Sequence, residues 1–571
     1  MPYTYGCRPK INIEIMKKIL IFALLALCVA CNKDEVITAD PLPVITLDDE
    51  DGVYALKQGR SLTITPSVTD AESYAWLLDG EVVATTLSYT FAATEVGTFY
   101  LTFRAENSTG KSEEQMRIEV LALQPPIIGF ALDEQGVMTL AAGREYTLAP
   151  EILHAEGASF DWQIDGKSLC KEAAYTCSFS AVGEYEMTFT ATNDDGTDSE
   201  KITLQVVDRI AGQAYIPTER NVPLGRTLYL TPTLHHFAEP AYSWSVDGVA
   251  QSTDKIFAFT PSAEGDYRVT LRLTDADGYT LSTDIAITCC AAEGTHKRAT
   301  TAESKPTWSK IYDYMPAPGQ FINEDKSGFD GVTTAAAALA YAEKRLAEGK
   351  YLSLGGWGGY VVAGFDHSVE NGEGYDFSVA GNMFTDSSEA GIVWVMQDTN
   401  GNAEPDDEWY ELRGSEWGSD NHSQHYAVTY YRPVAGGMSV QWRDNCHAEG
   451  RITRNTTHTH DYYYPAWFEA RYTLYGSRLA HNTTIDGSGK YENNAYAWGY
   501  ADNRGEDADN ADGDGGAAKC YFDISNAVNV DGTQAKLQYI DFVKVQSAIN
   551  HVAGPLGELS TEVFGFEDET M

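Results

Sequence analysis

The 571-residue sequence predicts an all-β protein: three tandem β-sandwiches followed by a larger jelly-roll-like β-sandwich domain with one helix. A Trp-x-x-Asp-Gly motif recurs three times at nearly constant spacing, which indicates a tandem array of domains. Short stretches of alternating apolar and polar residues, separated by turn residues, surround each motif and are typical of sandwich strands. After residue 308 the motif stops and aromatic residues and glycines become dense, which indicates a different domain.

Residues 1–30 have the pattern of a secretory signal peptide whose true start is Met16. Lys17 and Lys18 form a short basic region, followed by an apolar run over residues 19–30. This run is too short to cross a bilayer, which needs about 20 apolar residues. An ordinary signal peptide, cut at the end of the run to release a soluble secreted protein, is the alternative.

Cys31 directly follows the apolar run, and the segment resembles the lipobox of bacterial lipoproteins. This resemblance implies lipidation of Cys31 and a membrane contact through the lipid anchor only, although Leu27 is displaced and Cys28 holds the usual leucine position. The segment 32–35 is similar to the surface-export signal of Bacteroidota lipoproteins, which implies the extracellular face of the outer membrane. Residues 31–43 then form a lipidated tether.

The three repeats are centred on Trp76, Trp162 and Trp244, which lie 86 and 82 residues apart. A glycine that begins a strand follows each tryptophan after 21 residues. The Asp-Gly pair of each motif supplies the positive φ angles that a tight hairpin needs. We expect the repeats to have these bounds: 44–123, 124–208 and 209–290.

These repeats resemble PKD-like domains, which are immunoglobulin-like, in the tryptophan before a short turn and in the later Gly-x-Tyr strand. The resemblance covers about residues 43–289 and implies a β-sandwich fold while saying little about function. Two interpretations stay open. The array either binds a ligand itself or serves as a stalk whose tryptophans are core residues.

The formal net charge of −43 excludes nucleic-acid binding, which needs a basic surface. The charge fits a solvated surface protein and also a protein that holds divalent cations. Cys170 and Cys177 are candidates for a hairpin disulfide in an oxidising compartment, whereas the other cysteines have no metal-ligand spacing.

Residues 291–307 are small and polar and are expected to be a linker to the C-terminal ligand-binding domain, residues 308–571. One helix is predicted over residues 333–348, where an alanine run is followed by charged residues and a glycine. The rest of the domain reads as strands with long loops, which indicates a jelly-roll-type sandwich.

Two patterns in this domain could present aromatic rings or bind calcium. Glycines on both sides of Trp357 leave neighbouring rings poorly covered, so the rings of Trp357 and Tyr360 are candidates for stacking on a ligand. The alternative is that Trp357 packs inwards. Oxygen-bearing side chains alternate after residue 397 and imitate the start of a calcium loop, while an acidic stretch over residues 502–516 is a second candidate. The candidate calcium ligands are Asp398, Asn400, Asn402, Asp406, Asp407, Asp512 and Asp514. An ordinary polar turn is the alternative to calcium, and no organic cofactor is expected.

A histidine-rich and aromatic stretch includes His447, His458 and His460. The His-x-His pair could bind a metal, but no further ligand is fixed nearby in the sequence, so a polar aromatic loop that contacts a ligand is preferred. The remaining candidate ligand-binding aromatics are Trp409, Tyr462, Tyr463, Trp467 and Trp498.

The stretches 355–416, 498–503 and 540–546 resemble the C-terminal domain of bacterial cell-surface proteins with PKD-like repeats that accompany outer-membrane corrinoid (vitamin B12) uptake systems. This resemblance implies capture of cobalamin or a related corrinoid, with an outer-membrane transporter as a partner. It brings no binding residues with it.

Other functional classes stay open. A glycan-binding protein and an adhesin or structural surface protein are the main alternatives. An extracellular glycan hydrolase is the less favoured alternative; it needs two carboxylates in one cleft, and the sequence cannot locate such a pair because their separation is a property of the fold. No catalytic residues are assigned, since the chain lacks a nucleophile elbow, a phosphate loop and a zinc-protease helix.

Overall fold

The computed structural model describes residues 40–49, 51–133, 136–509 and 517–571. These residues fall into two compact units, one up to residue 123 and one from residue 124 onward, which are described separately. The predicted signal peptide, Cys31 and most of the tether lie outside the described residues. No helix of the described part is long and apolar enough to cross a membrane.

The first unit contains the first repeat. Its strands, within the described residues, are β1 Val44–Thr46, β2 Val53–Lys57, β3 Ser61–Ile64, β4 Ser67–Thr69, β5 Ser73–Leu78, β6 Glu81–Ala84, β7 Tyr89–Ala92, β8 Gly97–Asn107 and β9 Gly110–Leu121. Five of them form one sheet in the order β2-β9-β8-β5-β6, and β3 pairs with β7 and β1 with β4. Apolar side chains of these strands enclose a core around Trp76. The result is a β-sandwich.

The second unit begins with the second repeat. Its strands are β10 Ile127–Gly129, β11 Val137–Ala141, β12 Glu145–Leu148, β13 Glu151–Leu153, β14 Ser159–Ile164, β15 Lys167–Cys170, β16 Tyr175–Ser178, β17 Gly183–Asn193 and β18 Gly196–Val207. The sheet order β11-β18-β17-β14-β15 repeats that of the first repeat strand for strand.

The third repeat has the same topology, with the sheet order β20-β27-β26-β23-β24. Its strands are β19 Gln213–Tyr215, β20 Glu219–Pro223, β21 Leu228–Leu230, β22 Thr233–His235, β23 Ala241–Val246, β24 Val249–Ser252, β25 Phe257–Phe259, β26 Gly265–Thr274 and β27 Thr280–Cys290. The prediction of three tandem immunoglobulin-like sandwiches is confirmed.

The motif tryptophans are core residues in all three repeats. Trp76, Trp162 and Trp244 are fully buried. Each indole N–H donates to a backbone carbonyl ten residues later, at 2.9, 3.0 and 2.9 Å respectively. The motif is therefore explained by packing, because it fills each core and satisfies the indole.

The C-terminal domain follows. Its strands are β28 Lys310–Met315, β29 Leu352–Ser353, β30 Tyr360–Glu370, β31 Phe377–Gly381, β32 Gly391–Met396, β33 Tyr410–Leu412, β34 His422–Tyr431, β35 Val440–Asp444, β36 Glu449–Ile452, β37 Arg471–Leu479, β38 Thr483–Ile485, β39 Tyr491–Asn493, β40 Ala518–Phe522, β41 Ala527–Val528, β42 Tyr539–Ser547, β43 Glu562–Val563 and β44 Gly565–Asp568. A six-stranded sheet, β28-β30-β42-β32-β33-β41, and a three-stranded sheet, β40-β31-β44, enclose the main core.

The predicted helix is confirmed as α1, Ala335–Ala347. It begins after Thr334, whose hydroxyl accepts a hydrogen bond from the backbone N–H of Ala337 at 3.1 Å. Three of its residues, Ala338, Ala342 and Leu346, are buried in the main core. Helix α1 thus closes one side of the larger sandwich.

A separate four-stranded sheet, β36-β35-β34-β37, positions the candidate site. Alternate residues of its central strand β34, Tyr426, Val428 and Tyr430, point into a second core of the domain. Since successive side chains of a strand point to opposite faces, the residues between them cover the outer face of the sheet.

The second and third repeats pack against the C-terminal domain. Glu151 of the second repeat accepts hydrogen bonds from the backbone N–H and hydroxyl of Ser439 at 2.8 and 2.9 Å. In the third repeat, the guanidinium of Arg226 donates to the carbonyl of Ala535 at 3.1 Å. Contacts of this kind make residues 124–571 one compact unit.

The expected linker, residues 291–307, is likewise held in place. The guanidinium of Arg298 donates to the carbonyl of Phe365 at 2.8 Å and to the carboxylate of Asp541 at 2.9 Å. These contacts anchor the segment along the six-stranded sheet.

Candidate functional site

A groove lies between the second repeat, the third repeat and the outer face of the four-stranded sheet, with a volume of about 1120 Å³. The sheet contributes alternate residues of β34 and β37, including Thr429, Tyr431, Thr473 and Tyr475. These side chains lie outside because their neighbours fill the core beneath. The groove exists because two separate repeats dock beside this polar face.

Hydrogen bonds fix the two repeats at the rims of the groove. Arg451 of β36 donates to the carbonyl of Ala149 in the second repeat at 3.0 Å. The side-chain amide of Asn445 donates to the carbonyl of Leu234 in the third repeat at 3.1 Å. The walls are thus held by directional contacts across the domain boundaries.

The groove is rich in arginine although the chain is strongly acidic. Its lining contains the following arginines: Arg144, Arg209, Arg443, Arg451 and Arg471. Four acidic residues line it as well, Asp133, Glu145, Asp444 and Glu449. The whole chain has 40 basic and 83 acidic residues, so the excess of acid is reversed here. Two of these arginines form ion pairs, Arg209 with Asp275 and Arg443 with Glu449. The other arginines can offer their fork of donors to a carboxylate or phosphate group of a ligand.

Three histidines meet at one end of the groove. His235 and His236 end β22 and its turn, and His447 lies in the turn between β35 and β36. The ring centroids of His235 and His236 are 3.7 Å apart, and that of His447 is 5.3 and 5.1 Å from them. The third repeat and the C-terminal domain therefore place three imidazoles together.

The protonation of this cluster follows from its surroundings. Burial, followed by the charge of His447, lowers the pKa of His235. Burial and then the neighbouring His235 lower the pKa of His236 to about 4. Both imidazoles are therefore neutral at pH 7, and their ring nitrogens have lone pairs.

The predicted aromatic site residues do not form one site, although Tyr360 and Trp409 both lie near the ammonium group of Lys544. None of Trp357, Tyr360, Trp409, Tyr462, Tyr463, Trp467 and Trp498 lines the groove. Trp498 lines a smaller cavity of about 250 Å³ elsewhere in the C-terminal domain. Tyr462 is 45% exposed, whereas Tyr463 is buried.

Trp357 is a core residue, which corrects its assignment as a stacking ring. Only 1% of it is exposed, and its indole N–H donates to the carbonyl of Ser477 at 3.2 Å. The glycines around it serve close packing. A side chain at Gly359 would overlap the carbonyl of Leu354. The hydroxyl of Tyr360 donates a hydrogen bond to the carboxylate of Asp313 at 2.8 Å.

The candidate calcium loop at residues 398–407 is organised by its own hydrogen bonds. The carboxylate of Asp398 accepts from the backbone N–H of Gly401 at 2.8 Å and of Ala403 at 3.0 Å. Asp406 accepts from the amides of Asn400 and Asn402 at 3.0 and 2.9 Å. These hydrogen bonds are those expected of an ordinary polar turn. Calcium binding at this loop stays a prediction.

The remaining candidate calcium ligands are Asp407, Asp512 and Asp514. Asp407 is buried with its pKa raised to about 7, primarily by burial. Asp512 and Asp514 lie outside the described residues.

The His-x-His pair is engaged in structural contacts. His458 bonds to the carboxylate of Glu324 at 2.7 Å, and His460 bonds to the carbonyl of Ile322 at 2.8 Å. Among the described residues, the three-histidine cluster of the groove is the one group whose ligand atoms converge. The sequence analysis missed this cluster. The adjacent His235-His236 pair is visible in the sequence, but the third histidine of the cluster lies more than 200 residues away.

The predicted disulfide does not form in this structure. Cys170 and Cys177 are free thiols. Cys170 lies on β15 at the edge of the five-stranded sheet, whereas Cys177 lies on β16, which pairs with β12. The two cysteines are close in the sequence, but their strands belong to different sheets.

Comparison with known proteins identifies two of the repeats. The family described as "PKD-like domain" matches residues 42–107 and 125–193. The third repeat, which the family match does not include, shares their topology. No curated protein matches the chain.

Solved structures of tandem sandwich domains are similar over part of the chain. The I-band fragment I67–I69 from titin is 17% identical, covering 44% of this chain and all of that one, with a TM-score of 0.22. Fibronectin(III)-like modules of Clostridium thermocellum CbhA are 14% identical, covering 28% of this chain and 94% of that one, with a TM-score of 0.18. Extracellular domains 3–5 of Drosophila OTK are 10% identical, covering 43% of this chain and all of that one, with a TM-score of 0.17.

Proposed function

We propose that this chain is a surface-exposed lipoprotein that binds a bulky soluble nutrient carrying an anionic group, such as a phosphate, in the groove and hands it to an outer-membrane transporter. A corrinoid such as cobalamin is the first candidate. The groove of about 1120 Å³ carries the proposal. It exceeds the usual range for small-molecule pockets, about 300–1,000 Å³, and so favours a large ligand.

The chemistry of the lining supports this ligand class. A corrinoid has a flat macrocycle, peripheral amides and, in cobalamin, a phosphate. Arginines of the groove suit a phosphate, and the hydroxyls and rings of Thr429, Tyr431 and Tyr475 suit amides and a flat face. The corrinoid itself is taken from the resemblance of the C-terminal sequence stretches, whereas size and charge come from the groove.

The proposed address follows from the sequence alone. A lipid on Cys31 would anchor the chain, and the acidic residues after it favour export to the outer face. The arginines of the groove would then supply the local attraction for an anionic group of the ligand, against the repulsion from the acidic chain as a whole.

The test is calorimetric titration of the purified full-length chain with cobalamin and, separately, with an acidic oligosaccharide. We expect cobalamin to bind, and Arg471→Glu to weaken binding at least tenfold, because Arg471 lies on the groove wall. Arg432→Glu is the matched control: Arg432 is exposed on the neighbouring strand's end, outside the groove lining, and undergoes the same charge change.

The outcomes separate the alternatives. Binding of the oligosaccharide but not of cobalamin would support the glycan-binding alternative in the same groove. Binding that Tyr462→Ala abolishes and Arg471→Glu leaves unchanged would move the site to the exposed aromatic loop. Absence of binding by either ligand would contradict the nutrient-binding role and leave an adhesive or structural surface protein.

A further inference from the structure

We infer that His235, His236 and His447 form a binding site for a divalent transition-metal ion of the zinc type, with an open coordination position toward the groove. One ring nitrogen from each histidine lies within 4.8 Å of the others. In a tetrahedral site with Zn–N bonds of about 2.0–2.1 Å, ligand nitrogens are about 3.3 Å apart. Binding therefore requires the ring nitrogens to approach one another by up to about 1.5 Å.

The C-terminal side of the site is built before any metal arrives. Asp444 accepts hydrogen bonds from the backbone N–H groups of Cys446 and Ala448 at 2.9 and 2.7 Å. These bonds shape the turn that presents His447. The ligand is therefore supplied by a defined hairpin turn.

The third-repeat side is fixed to that same turn. The side chain of Asn445 donates to the carbonyl of Leu234, the residue before His235, at 3.1 Å. The same amide also donates to the carbonyl of His425 at 2.9 Å. One asparagine thus aligns the two segments that carry the three histidines, which lowers the cost of bringing them together.

The set of donors selects the class of ion. Three imidazole nitrogens suit zinc, nickel, copper and cobalt, whereas calcium and magnesium require oxygen ligands. The nearest carboxylate, Asp444, is occupied: besides the two backbone groups, it accepts from the hydroxyl of Tyr426 at 2.7 Å. The site therefore consists of nitrogen donors.

The position of the cluster leaves one coordination place open. All three histidines line the groove. Three protein ligands with a fourth place for water or another molecule is the arrangement of open zinc sites. An ion here would bridge the third repeat and the C-terminal domain, and it would stabilise the docked arrangement because the unfolded chain lacks the site.

The experiment uses the full-length chain, purified without a polyhistidine tag and stripped of metal, titrated with Zn²⁺ and in parallel with Co²⁺. We expect one equivalent of Zn²⁺ to bind, a visible d–d absorption from Co²⁺, and a rise in the melting temperature with Zn²⁺. His447→Asn should weaken Zn²⁺ binding at least tenfold and remove the rise in melting temperature.

Asparagine is chosen because His447 has a φ angle of 69° and His236 one of 58°, a region that asparagine tolerates. His235→Gln, on the other side of the junction, is the second variant and guards against a local folding defect in the first. His458→Asn is the control, since His458 is bonded to Glu324 outside the groove. Equal Zn²⁺ affinity in the wild type and in both cluster variants would overturn the proposal and indicate an adventitious ion only.

The outcome of the Zn²⁺ titration does not depend on whether the groove binds the proposed nutrient. Zn²⁺ binding can succeed while cobalamin fails to bind, because the two titrations use different probes and the variants change different walls of the groove.

Discussion

The ring of Tyr215 in the third repeat stacks on the ring of Tyr475 in the four-stranded sheet, with centroids 3.7 Å apart and planes 12° from parallel. Tyr215 is 44% exposed, so this contact lies at the margin of the groove. The two tyrosines belong to different domains and are 260 residues apart in the sequence. The pair is a direct marker of whether the repeat is docked.

Tyr475→Ala should loosen the docking of the third repeat. A stacked aromatic pair contributes about 0.5–1.5 kcal/mol, so hydrogen exchange should rise in β19 and β22 while the strands of the main core stay protected. Hydrogen–deuterium exchange measured by mass spectrometry checks this. Tyr462→Ala, which changes an exposed tyrosine outside the junction, is the control, and equal exchange in the two variants would contradict the role of the pair.

Trp162→Ala should destabilise the second repeat by about 3–5 kcal/mol, because it opens a cavity in the core and leaves the carbonyl of Glu172 without its indole donor. Denaturant unfolding followed by circular dichroism measures the loss. Leu169→Ala, in which a 40% exposed side chain is shortened, is the control and should change stability little. A similar loss in both variants would argue against the tryptophan as the centre of the core.

Lys544→Met should stabilise the C-terminal domain at pH 7. The ammonium group of Lys544 lies 4.7 Å from the ring centroid of Trp394 and 4.8 Å from that of Trp409, and burial lowers its pKa to about 8. The unfolded chain, with an ordinary lysine pKa near 10.4, binds more protons between these values, so wild-type stability rises as the pH rises from about 8 toward 10. The effect is up to about 3 kcal/mol.

Thermal melts of wild type and Lys544→Met at pH 7 and pH 9.5 test this prediction. The advantage of the variant should shrink at the higher pH, because the folded wild-type protein then holds a neutral lysine and no longer buries a charge. Lys544→Arg keeps a permanent charge and should be destabilised at both pH values. An advantage of Met that does not change with pH would contradict the buried charge of Lys544 as the cause.

Glu389→Gln should stabilise the C-terminal domain above pH 7. Glu389, Asp502 and Glu562 lie close together, and burial followed by the neighbouring carboxylates raises the pKa of Glu389 and of Glu562. Burial raises the pKa of Asp502 to about 7. Since these groups hold protons more tightly in the folded state, stability is full below the ordinary carboxylate pKa of about 4 and falls as the pH rises through 7.

The amide of the glutamine can still accept from the backbone N–H of Ser560, the contact that Glu389 makes at 3.1 Å. Melting temperatures at pH 5 and pH 8 measure the result, with the larger gain expected at pH 8. Glu348→Gln, at an exposed carboxylate paired with Lys350, is the control. A gain of equal size at both pH values would contradict charge repulsion as the reason.

Much of the fold was predictable because its signals are local. The strands around Trp76, Trp162 and Trp244 follow from alternation, and the hairpins that follow them need the positive φ angles found at Asp79 and Gly80 and their equivalents. Helix α1 follows from its alanines and from the cap at Thr334. Such features depend on neighbours within a few residues.

The candidate site was not predictable in this way. The exposure of Trp357 could not be inferred from its glycines, because the same glycines permit close packing around a buried ring. The free thiols of Cys170 and Cys177 depend on the pairing of their strands in different sheets. Burial and pairing are properties of the assembled core.

The sequence by itself determined the repeated all-β architecture, the recurrence of a tryptophan in each repeat and the acidic character of the chain, because composition and short-range periodicity encode them. The tertiary structure alone decided that the second and third repeats dock on the C-terminal domain, that arginines concentrate in the groove, and that His235 and His236 meet His447. Those relationships join residues hundreds of positions apart, and only the packing of separate domains brings them within contact distance.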